Sequence, residues 1–493
     1  MFMRFFLLFF IVTTFLSSCS VSKMYTANKK FAPEKLKEDL ILLKKILEAN
    51  HPSLYWYTTK DSLDNAFNNG ILSITDSLTE KDFKNITAKI IAQIHCGHTS
   101  VRYSKAYSKQ PFNKLPQFPV SIKTWNDSAV LLRTSRFNDS VLTRGTIITA
   151  INNIPIKRVI DSMKLFVSTD GYADIFKTQV FSFNFPVWYN NVFAVDTVHQ
   201  ISYLAKNGIE KTETIKSYLL EKDSIQKKAN TEYQKISRRD IRKQRLENNR
   251  SYGIDSLSGA AIIRLKTFTG GRLKSFFRKT FRSLKKNNIQ HLVIDVRENG
   301  GGSIMNSTRL SQYVSDKPFR IADTIVSNSR RIQYSRYIKP SFIYWLAMQI
   351  TGRKKVDGKI HFKYFEKHLY KPKKNKFNGE VFILTSGYTF SASTLFINNI
   401  IQQPHVTIVG EETGGGSYGN SAIYLPNITL PNSKIRVRLP LNRLVMNKAN
   451  EKSGRGIFPD ISVPPNSENI RLGIDAKMEA VRNLILNKKN GSN

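Results

Sequence analysis

Apolar residues recur three and four positions apart in two early segments of the chain, EKLKEDLILLKKILEA and EKDFKNITAKIIAQI. This spacing is typical of amphipathic helices and predicts a small helical domain over residues 31–115. After Phe118 the pattern changes to short alternating runs such as VSIKTW and AVLLRTS, which predict strands. The first part of the chain is therefore predicted to hold a helical domain and then a β-rich one.

Farther along, three near-continuous apolar runs occur, HLVIDVR, VFILTSG and VTIVGE, each followed by a helical or glycine-rich stretch. Runs of this kind suit strands of a sheet that is covered on both faces. They predict an α/β core over residues 251–480, followed by a polar tail at 481–493.

The β-rich region, residues 116–215, contains the segment RGTIITAINNIPI. This segment resembles the glycine-then-strand signature of a PDZ domain, so a PDZ-like β-rich insertion is expected. The glycine-rich loop with which such domains grip a peptide carboxylate is not evident before VSIKTW.

The chain begins with MFMRFFLLFFIVTTFLSSCS, in which Arg4 precedes an apolar run that ends at Leu16. This pattern predicts a signal peptide over residues 1–19 and a short polar tether over residues 20–30. The sequence around Cys19 resembles the lipobox of bacterial lipoproteins, which implies lipidation of Cys19 and anchoring in the bacterial cell envelope, outside the cytoplasm. An uncleaved membrane anchor is the alternative, although the run is shorter than the roughly 20 residues that span a bilayer.

The formal net charge is +39, with 76 Lys and Arg residues against 37 Asp and Glu. Export argues against nucleic acid as the partner, and leaves contact with anionic lipid or glycolipid, or a generally basic proteome, as equal explanations. Much of the charge lies in a predicted basic insertion, residues 216–250, which reads as a solvated helix or a flexible segment.

A second unusual segment, PSFIYWLAMQITGRKK at residues 340–355, joins an exposed-looking apolar stretch to basic residues. It is too short to span a membrane. It is predicted to be a lid over a cleft or an interfacial helix rather than part of the core.

Candidate chemistry centres on TSGYTFSASTLFINNI, where Ser391 follows a predicted buried strand and a sharp turn. Helical spacing of apolar residues continues after the turn until Pro404. Ser391 and Ala392 then fall in the first helical turn, where free backbone N–H groups can stabilise an oxyanion. The alternative is that Ser391 and Ser393 only cap the helix.

Three glycines in DVRENGGGS follow another predicted strand, so the backbone there can turn tightly and present N–H groups. A phosphate loop is a second interpretation, but the Lys-Ser/Thr ending of that motif is missing. An oxyanion cradle therefore fits better.

In order and spacing, DVRENGGGS, GYTFSAS, VGEETGGGSYGN and GRGIFPD resemble the motifs of the C-terminal processing, or tail-specific, serine protease family. The resemblance extends from about Phe31 to the C-terminus. It implies a crotonase-like α/β protease core, with the helical domain and the PDZ-like insertion placed before it.

The resemblance also implies roles for individual residues. Ser391 corresponds to the nucleophile, and the N–H groups of Ala392 and Gly301 correspond to the oxyanion hole. The lysine that serves as general base in the processing branch is absent, because Gly416 stands at its position. In the tricorn-like branch a histidine has that role, and His98 in CGHTS matches it.

The third member of the site corresponds most nearly to Glu451, with spacing off by a couple of residues, and a solvated surface glutamate is an equal alternative. His95 and His98 have no further ligand at useful spacing, so no metal is expected, and no cofactor. Cys96 reads as a small buried hydrophobe.

These features predict a serine-type endopeptidase that cleaves polypeptides of the envelope through an acyl-enzyme. The alternative is a non-catalytic peptide- or ligand-binding lipoprotein on the same scaffold. A third possibility is an adaptor that binds anionic surfaces through the basic insertion. The sequence leaves the oligomeric state open.

Overall fold

The structure is a computed structural model, and it describes residues 26, 28–109, 116–125, 128–136, 139–218, 237–448 and 451–490. Cys19 and the predicted signal peptide therefore lie outside the described residues.

The first region is helical. Its elements are β1 (Lys30–Phe31), α1 (Pro33–Asn50), α2 (Lys60–Leu72), β2 (Leu78–Thr79), α3 (Glu80–Ala92) and β3 (Val101–Arg102). The apolar faces of the helices are buried, and α3 begins with a capping box in which Thr79 and Asp82 exchange side-chain and backbone hydrogen bonds. Since β3 pairs with a strand of the C-terminal region, these helices are joined directly to the rest of the protein.

The second region has a hydrophobic core of its own, which includes Phe118, Phe181 and Ile201. Its elements are β4 (Val120–Trp125), β5 (Ser128–Thr134), β6 (Ile148–Ile151), β7 (Ile154–Pro155), α4 (Ile156–Lys164), α5 (Asp174–Phe183), α6 (Phe185–Val192), β8 (Val198–Leu204) and β9 (Glu210–Lys216). Strands β4 and β5 pair with each other in the antiparallel direction, and β7, β6, β8 and β9 form an antiparallel sheet. The likeness of this region to a PDZ domain stays a prediction.

Part of the predicted basic insertion lies outside the described residues. Helix α7 (Arg238–Asn249) forms most of its described part, and none of the helix side chains is buried. The interpretation as a solvated helix is confirmed for this stretch.

The third region is built on a six-stranded sheet in the order β10-β11-β12-β17-β18-β23. Its elements are β10 (Arg250–Ile254), β11 (Ala261–Leu265), α8 (Leu273–Lys286), β12 (His291–Asp295), α9 (Ile304–Val314), β17 (Glu380–Thr385), α12 (Ala392–Asn398), β18 (Val406–Gly410), β23 (Ile461–Ser462), α13 (Ser467–Leu472) and α14 (Ala476–Asn490). All neighbours in this sheet are parallel except β10 and β11.

Helices cover both faces of this sheet, as the near-continuous apolar runs predicted. Ile294 and Ile383 pack on one side with residues of α8, α9 and α12, whereas Val293 and Phe382 pack on the other with residues of α14. The predicted mixed α/β fold is confirmed, and the crotonase-like assignment of the core stays a prediction.

Two smaller sheets stand beside the large one. The first has the order β15-β16-β13-β22-β19, and the second has the order β14-β20-β21-β3. Their elements, with two associated helices, are β13 (Thr324–Ser327), β14 (Ile338–Lys339), α10 (Phe342–Thr351), β15 (Arg353–Lys354), β16 (Ile360–His361), α11 (Lys363–Lys367), β19 (Gly419–Ala422), β20 (Asn427–Thr429), β21 (Arg436–Arg438) and β22 (Asn442–Val445). Within the part of the chain that the structure describes, no helix has the length and apolar character needed to cross a bilayer.

Candidate active site

Ser391 lies at the junction between the large sheet and α12. The chain leaves β17 at Thr385, turns, and reaches Ser391 with φ 58° and ψ −117°, a backbone conformation that residues with a side chain seldom adopt. Such a turn lifts a side chain out of the strand–helix junction, as the nucleophile elbow does in α/β-hydrolases. Helix α12 ends at Asn398, earlier than the predicted stop at Pro404.

The hydroxyl of Ser391 faces a histidine instead of capping the helix. Its Oγ lies 2.9 Å from Nε2 of His98, and no side-chain cap hydrogen bond to α12 is present at Ser391. The helix-cap interpretation of Ser391 is therefore wrong. The His98 ring is buried, with 5% of its side chain exposed, and packs against Phe390 at a centroid distance of 4.9 Å.

The carboxylate beside His98 belongs to Asp170, which sequence reasoning missed. Oδ1 of Asp170 lies 3.9 Å from Nδ1 of His98 and accepts a hydrogen bond from the Gly97 N–H at 2.8 Å. Nδ1 of His98 and Oδ2 of Asp170 are both buried, and neither has a hydrogen-bond partner among the described residues. The two groups thus face each other across a gap wider than a hydrogen bond.

Two reciprocal hydrogen bonds hold Asp170 in this place. The Gly171 N–H donates to the carbonyl oxygen of His95 at 3.0 Å, and Nδ1 of His95 lies 3.0 Å from the Gly171 carbonyl oxygen. His95 therefore fastens the Asp170 loop to the segment that carries His98. Burial, followed by the charge of Asp170, raises the pKa of Tyr57 nearby, so the surroundings are poorly hydrated.

The structure does not place Glu451 at the histidine. Glu451 is exposed in a segment without regular secondary structure. The neighbouring loop does approach the site, because the Tyr172 N–H donates to the Gly454 carbonyl oxygen at 2.7 Å. Of the two carboxylates, the structure brings that of Asp170 to His98.

The two predicted oxyanion donors differ in whether their N–H group already has an acceptor. The Ala392 N–H has no acceptor among the described residues. The Gly301 N–H donates to Oδ1 of Asn299 at 3.0 Å, a bond that sequence reasoning did not foresee. Gly301 has φ 103°, and a Cβ there would lie 2.8 Å from Cβ of Ser391, so a glycine is needed for this close approach.

The glycine-rich loop after β18 lies directly beneath the serine. A Cβ on Gly415 would stand 3.0 Å from the Ser391 backbone nitrogen, and one on Gly416 would stand 3.6 Å from Cβ of Asp170. The Arg455 guanidinium and the Gly456 N–H bind the Glu412 carboxylate, so the GRGIFPD motif anchors this loop. The position that the resemblance matched to a lysine therefore lies beside the site and holds a glycine.

Cys96 is buried next to the histidine segment, with 4% of its surface exposed. Burial raises the pKa of its thiol to about 12. At neutral pH it is not a thiolate, and the interpretation as a small buried hydrophobe is confirmed. Among the described residues, no group of three His, Cys, Asp or Glu side chains is placed to hold a metal ion.

A serine at a strained strand–helix turn, in contact with a buried histidine, is the arrangement that serine hydrolases use. Residues 259–463 match the family model described as Peptidase family S41. This part of the chain is thus similar to the Peptidase family S41 domain, which supports a serine peptidase.

A solved structure shares the fold of this chain. The structure of mature CPAF complexed with lactacystin has a TM-score of 0.65 and 14% identity, and the alignment covers 92% of this chain and 99% of that one. A photosystem II D1 C-terminal processing protease has a TM-score of 0.41 and 12% identity over 91% of this chain and 97% of that one. The tricorn protease has a TM-score of 0.42 and 13% identity over 92% of this chain and 37% of that one. No curated protein is significantly similar to the chain in sequence.

Proposed function

We propose that this protein is a serine-type endopeptidase of the tricorn-like kind, anchored in the cell envelope through Cys19 and acting on envelope polypeptides. The observation that carries the proposal is the 2.9 Å contact between Oγ of Ser391 and Nε2 of His98 in a buried site. The Peptidase family S41 domain supports the same class of reaction.

In the proposed reaction, Oγ of Ser391 attacks a peptide carbonyl carbon while its proton passes to Nε2 of His98. The new C–O bond gives a tetrahedral oxyanion, which the free N–H of Ala392 stabilises. His98 then returns the proton to the leaving amine as the C–N bond breaks. Water hydrolyses the acyl-enzyme by the same steps and restores the serine.

Gly301 is proposed as the second oxyanion donor, and this requires a change from the resting geometry. Its N–H donates to Oδ1 of Asn299, so bound substrate must share or displace that hydrogen bond. An oxyanion is a stronger acceptor than a neutral amide oxygen, so the developing charge favours the exchange. The hydrogen bond from the Gly301 N–H to the oxyanion would become stronger as the transition state forms.

We assign the orientation of His98 to Asp170 in place of Glu451. When His98 accepts the serine proton, Nδ1–H of the imidazolium points toward a carboxylate 3.9 Å away in a buried pocket. At about 4 Å and an effective dielectric constant of about 20, two opposite unit charges attract by about 4 kcal/mol. His98 takes the general-base role of the missing lysine, and this attraction would stabilise the imidazolium that forms during the reaction.

A serine-directed fluorophosphonate provides the direct test of the proposed nucleophile. The chain from Ser20 onward keeps every described residue and is incubated with the reagent, and its cleavage of an unfolded protein is followed in parallel. We expect a single adduct on Ser391 by peptide mass spectrometry, with cleavage lost in proportion to labelling. If the protein shows no cleavage and no labelling, the non-catalytic binding protein is favoured. Labelling of another serine together with loss of cleavage would refute the assignment of Ser391.

The buried thiol gives a second prediction. Because the pKa of Cys96 is about 12 and its side chain is buried, iodoacetamide should leave the native protein unalkylated and fully active. Cys96→Ala should likewise cleave at a rate within about twofold of the parent. Rapid loss of cleavage on alkylation of Cys96 would indicate a cysteine mechanism instead.

A further inference from the structure

Helix α10 presents an apolar face to solvent. Phe342 is 67% exposed, Ile343 is 64%, Leu346 is 42% and Ile350 is 64%, and their spacing places them along one side of the helix. The opposite side is packed, since Met348 is buried in the main core cluster. The exposed side chains therefore belong to an ordered helix that is fixed to the fold by its other face.

An exposed aromatic and aliphatic surface of this kind marks an interaction site in soluble domains. Trp345, which is 39% exposed, is on the same helix, and tryptophan favours the boundary between water and lipid. Helix α10 has ten residues, which is too short to cross a bilayer but suits a helix that lies in its surface.

A basic groove lies next to the N-terminal end of α10. The groove is a cavity of about 970 Å³, and Tyr337 and Lys339, shortly before the helix, form part of its wall. Its positively charged side chains are Lys29, Lys105, Arg336, Lys339, Lys434 and Arg436.

Acidic groups in the wall of the groove do not neutralise these positive charges. Glu80 is the acidic residue in its wall, and it is buried, with its carboxylate accepting hydrogen bonds from the N–H and the hydroxyl of Ser104. Within the described ranges, none of Lys29, Lys105 and Lys339 forms an ion pair with a carboxylate. The surface therefore carries a strong excess of positive charge that an anionic partner would complement.

The described part of the chain begins at this groove, at Thr26. Thr26 and Lys29 line the groove, and Cys19, the residue predicted to carry lipid, precedes Thr26 by seven positions. Seven extended residues reach at most about 25 Å. A lipid on Cys19 would thus hold the groove close to the membrane surface.

We propose that helix α10 and this basic groove form one membrane-docking surface for a bilayer that contains anionic phospholipids. The apolar face of α10 lies among the headgroups, and the cations of the groove contact the lipid phosphates. This surface does not depend on the peptidase chemistry. It would hold the protein in one orientation on the membrane, in addition to the proposed anchor at Cys19.

Vesicle flotation of the unlipidated chain from Ser20 onward tests the surface without the anchor. We expect at least tenfold stronger binding to phosphatidylcholine vesicles that contain phosphatidylglycerol than to pure phosphatidylcholine, and weaker binding at high salt. The double variant Phe342→Ser with Ile343→Ser should lose at least tenfold. The charge reversals Lys339→Glu with Lys434→Glu should also lose at least tenfold.

Matched controls separate docking from general charge. Lys206→Glu with Lys211→Glu changes the net charge equally at an exposed hairpin, and Leu72→Ser removes an apolar side chain that is 72% exposed on α2. Both should bind as the parent does, and circular dichroism checks that every variant is folded. Equal losses in the test and control variants, or no loss in either, would overturn the proposal. So would a change of oligomeric state, rather than of vesicle binding, in the α10 variant, because this face would then join two copies of the chain.

Discussion

Replacing Ser391 by alanine is expected to abolish peptide hydrolysis and to leave the fold unchanged. Alanine keeps Cβ and the backbone of the turn, but removes the oxygen that lies 2.9 Å from Nε2 of His98. We expect the cleavage rate to fall roughly 10⁴-fold or more, because the nucleophile is lost and only binding and oxyanion stabilisation remain. Product mass spectrometry on an unfolded protein measures the loss.

Ser393→Ala is the matched control for this experiment. Ser393 lies two residues farther along the same motif, is fully buried, and its hydroxyl has no hydrogen-bond partner among the described residues. Its removal should leave cleavage within about twofold of the parent. His98→Ala should reproduce the loss seen for Ser391→Ala. Full activity of Ser391→Ala would exclude the proposed nucleophile and would mean that another group attacks the peptide bond.

Replacing Asp170 by asparagine is expected to have the second largest effect. Asparagine has nearly the same shape and retains an oxygen that accepts the Gly97 N–H, but it lacks the charge that faces Nδ1 of His98. We expect kcat to fall roughly 10²- to 10⁴-fold with little change in KM, since the charge acts on the protonated histidine of the transition state. Steady-state kinetics on a fluorogenic peptide measures both constants.

Glu451→Gln distinguishes this assignment from the one suggested by motif spacing. Because Glu451 is exposed, its neutral variant should keep kcat within about twofold of the parent. A large loss in Glu451→Gln together with an active Asp170→Asn would reverse the two roles.

Those parts of the fold and site that depend on short stretches of sequence were predictable. The strand before Ser391 is a run of apolar residues buried on both faces, and β17 occupies it with Val381 and Leu384 inside. The three glycines after β12 were predicted to let the backbone turn tightly, and one of them, Gly301, has φ 103° and lies against the serine. Such features follow from local periodicity and from the steric freedom of glycine.

Features that depend on contacts between distant segments were not predictable. Asp170 approaches His98 only because His95 and Gly171 exchange hydrogen bonds between two separate loops, and nothing in the sequence near Asp170 indicates this. Likewise, an asparagine two residues before Gly301 gives no sign that its side chain will accept the Gly301 N–H. Glu451 matches a position in a motif, but such a match gives the order of segments along the chain and not the direction in which a side chain points.

The pairing of β3 with β21 has a consequence for when the enzyme acquires activity. His98 precedes β3, and 293 residues separate it from Ser391 along the chain. Contacts between such distant segments require the closure of a long loop, so we expect the two groups to meet late in folding, when the first helices contact the C-terminal region. If the protein is the peptidase proposed above, a newly made chain should therefore cleave neither its neighbours nor itself until its own folding is complete.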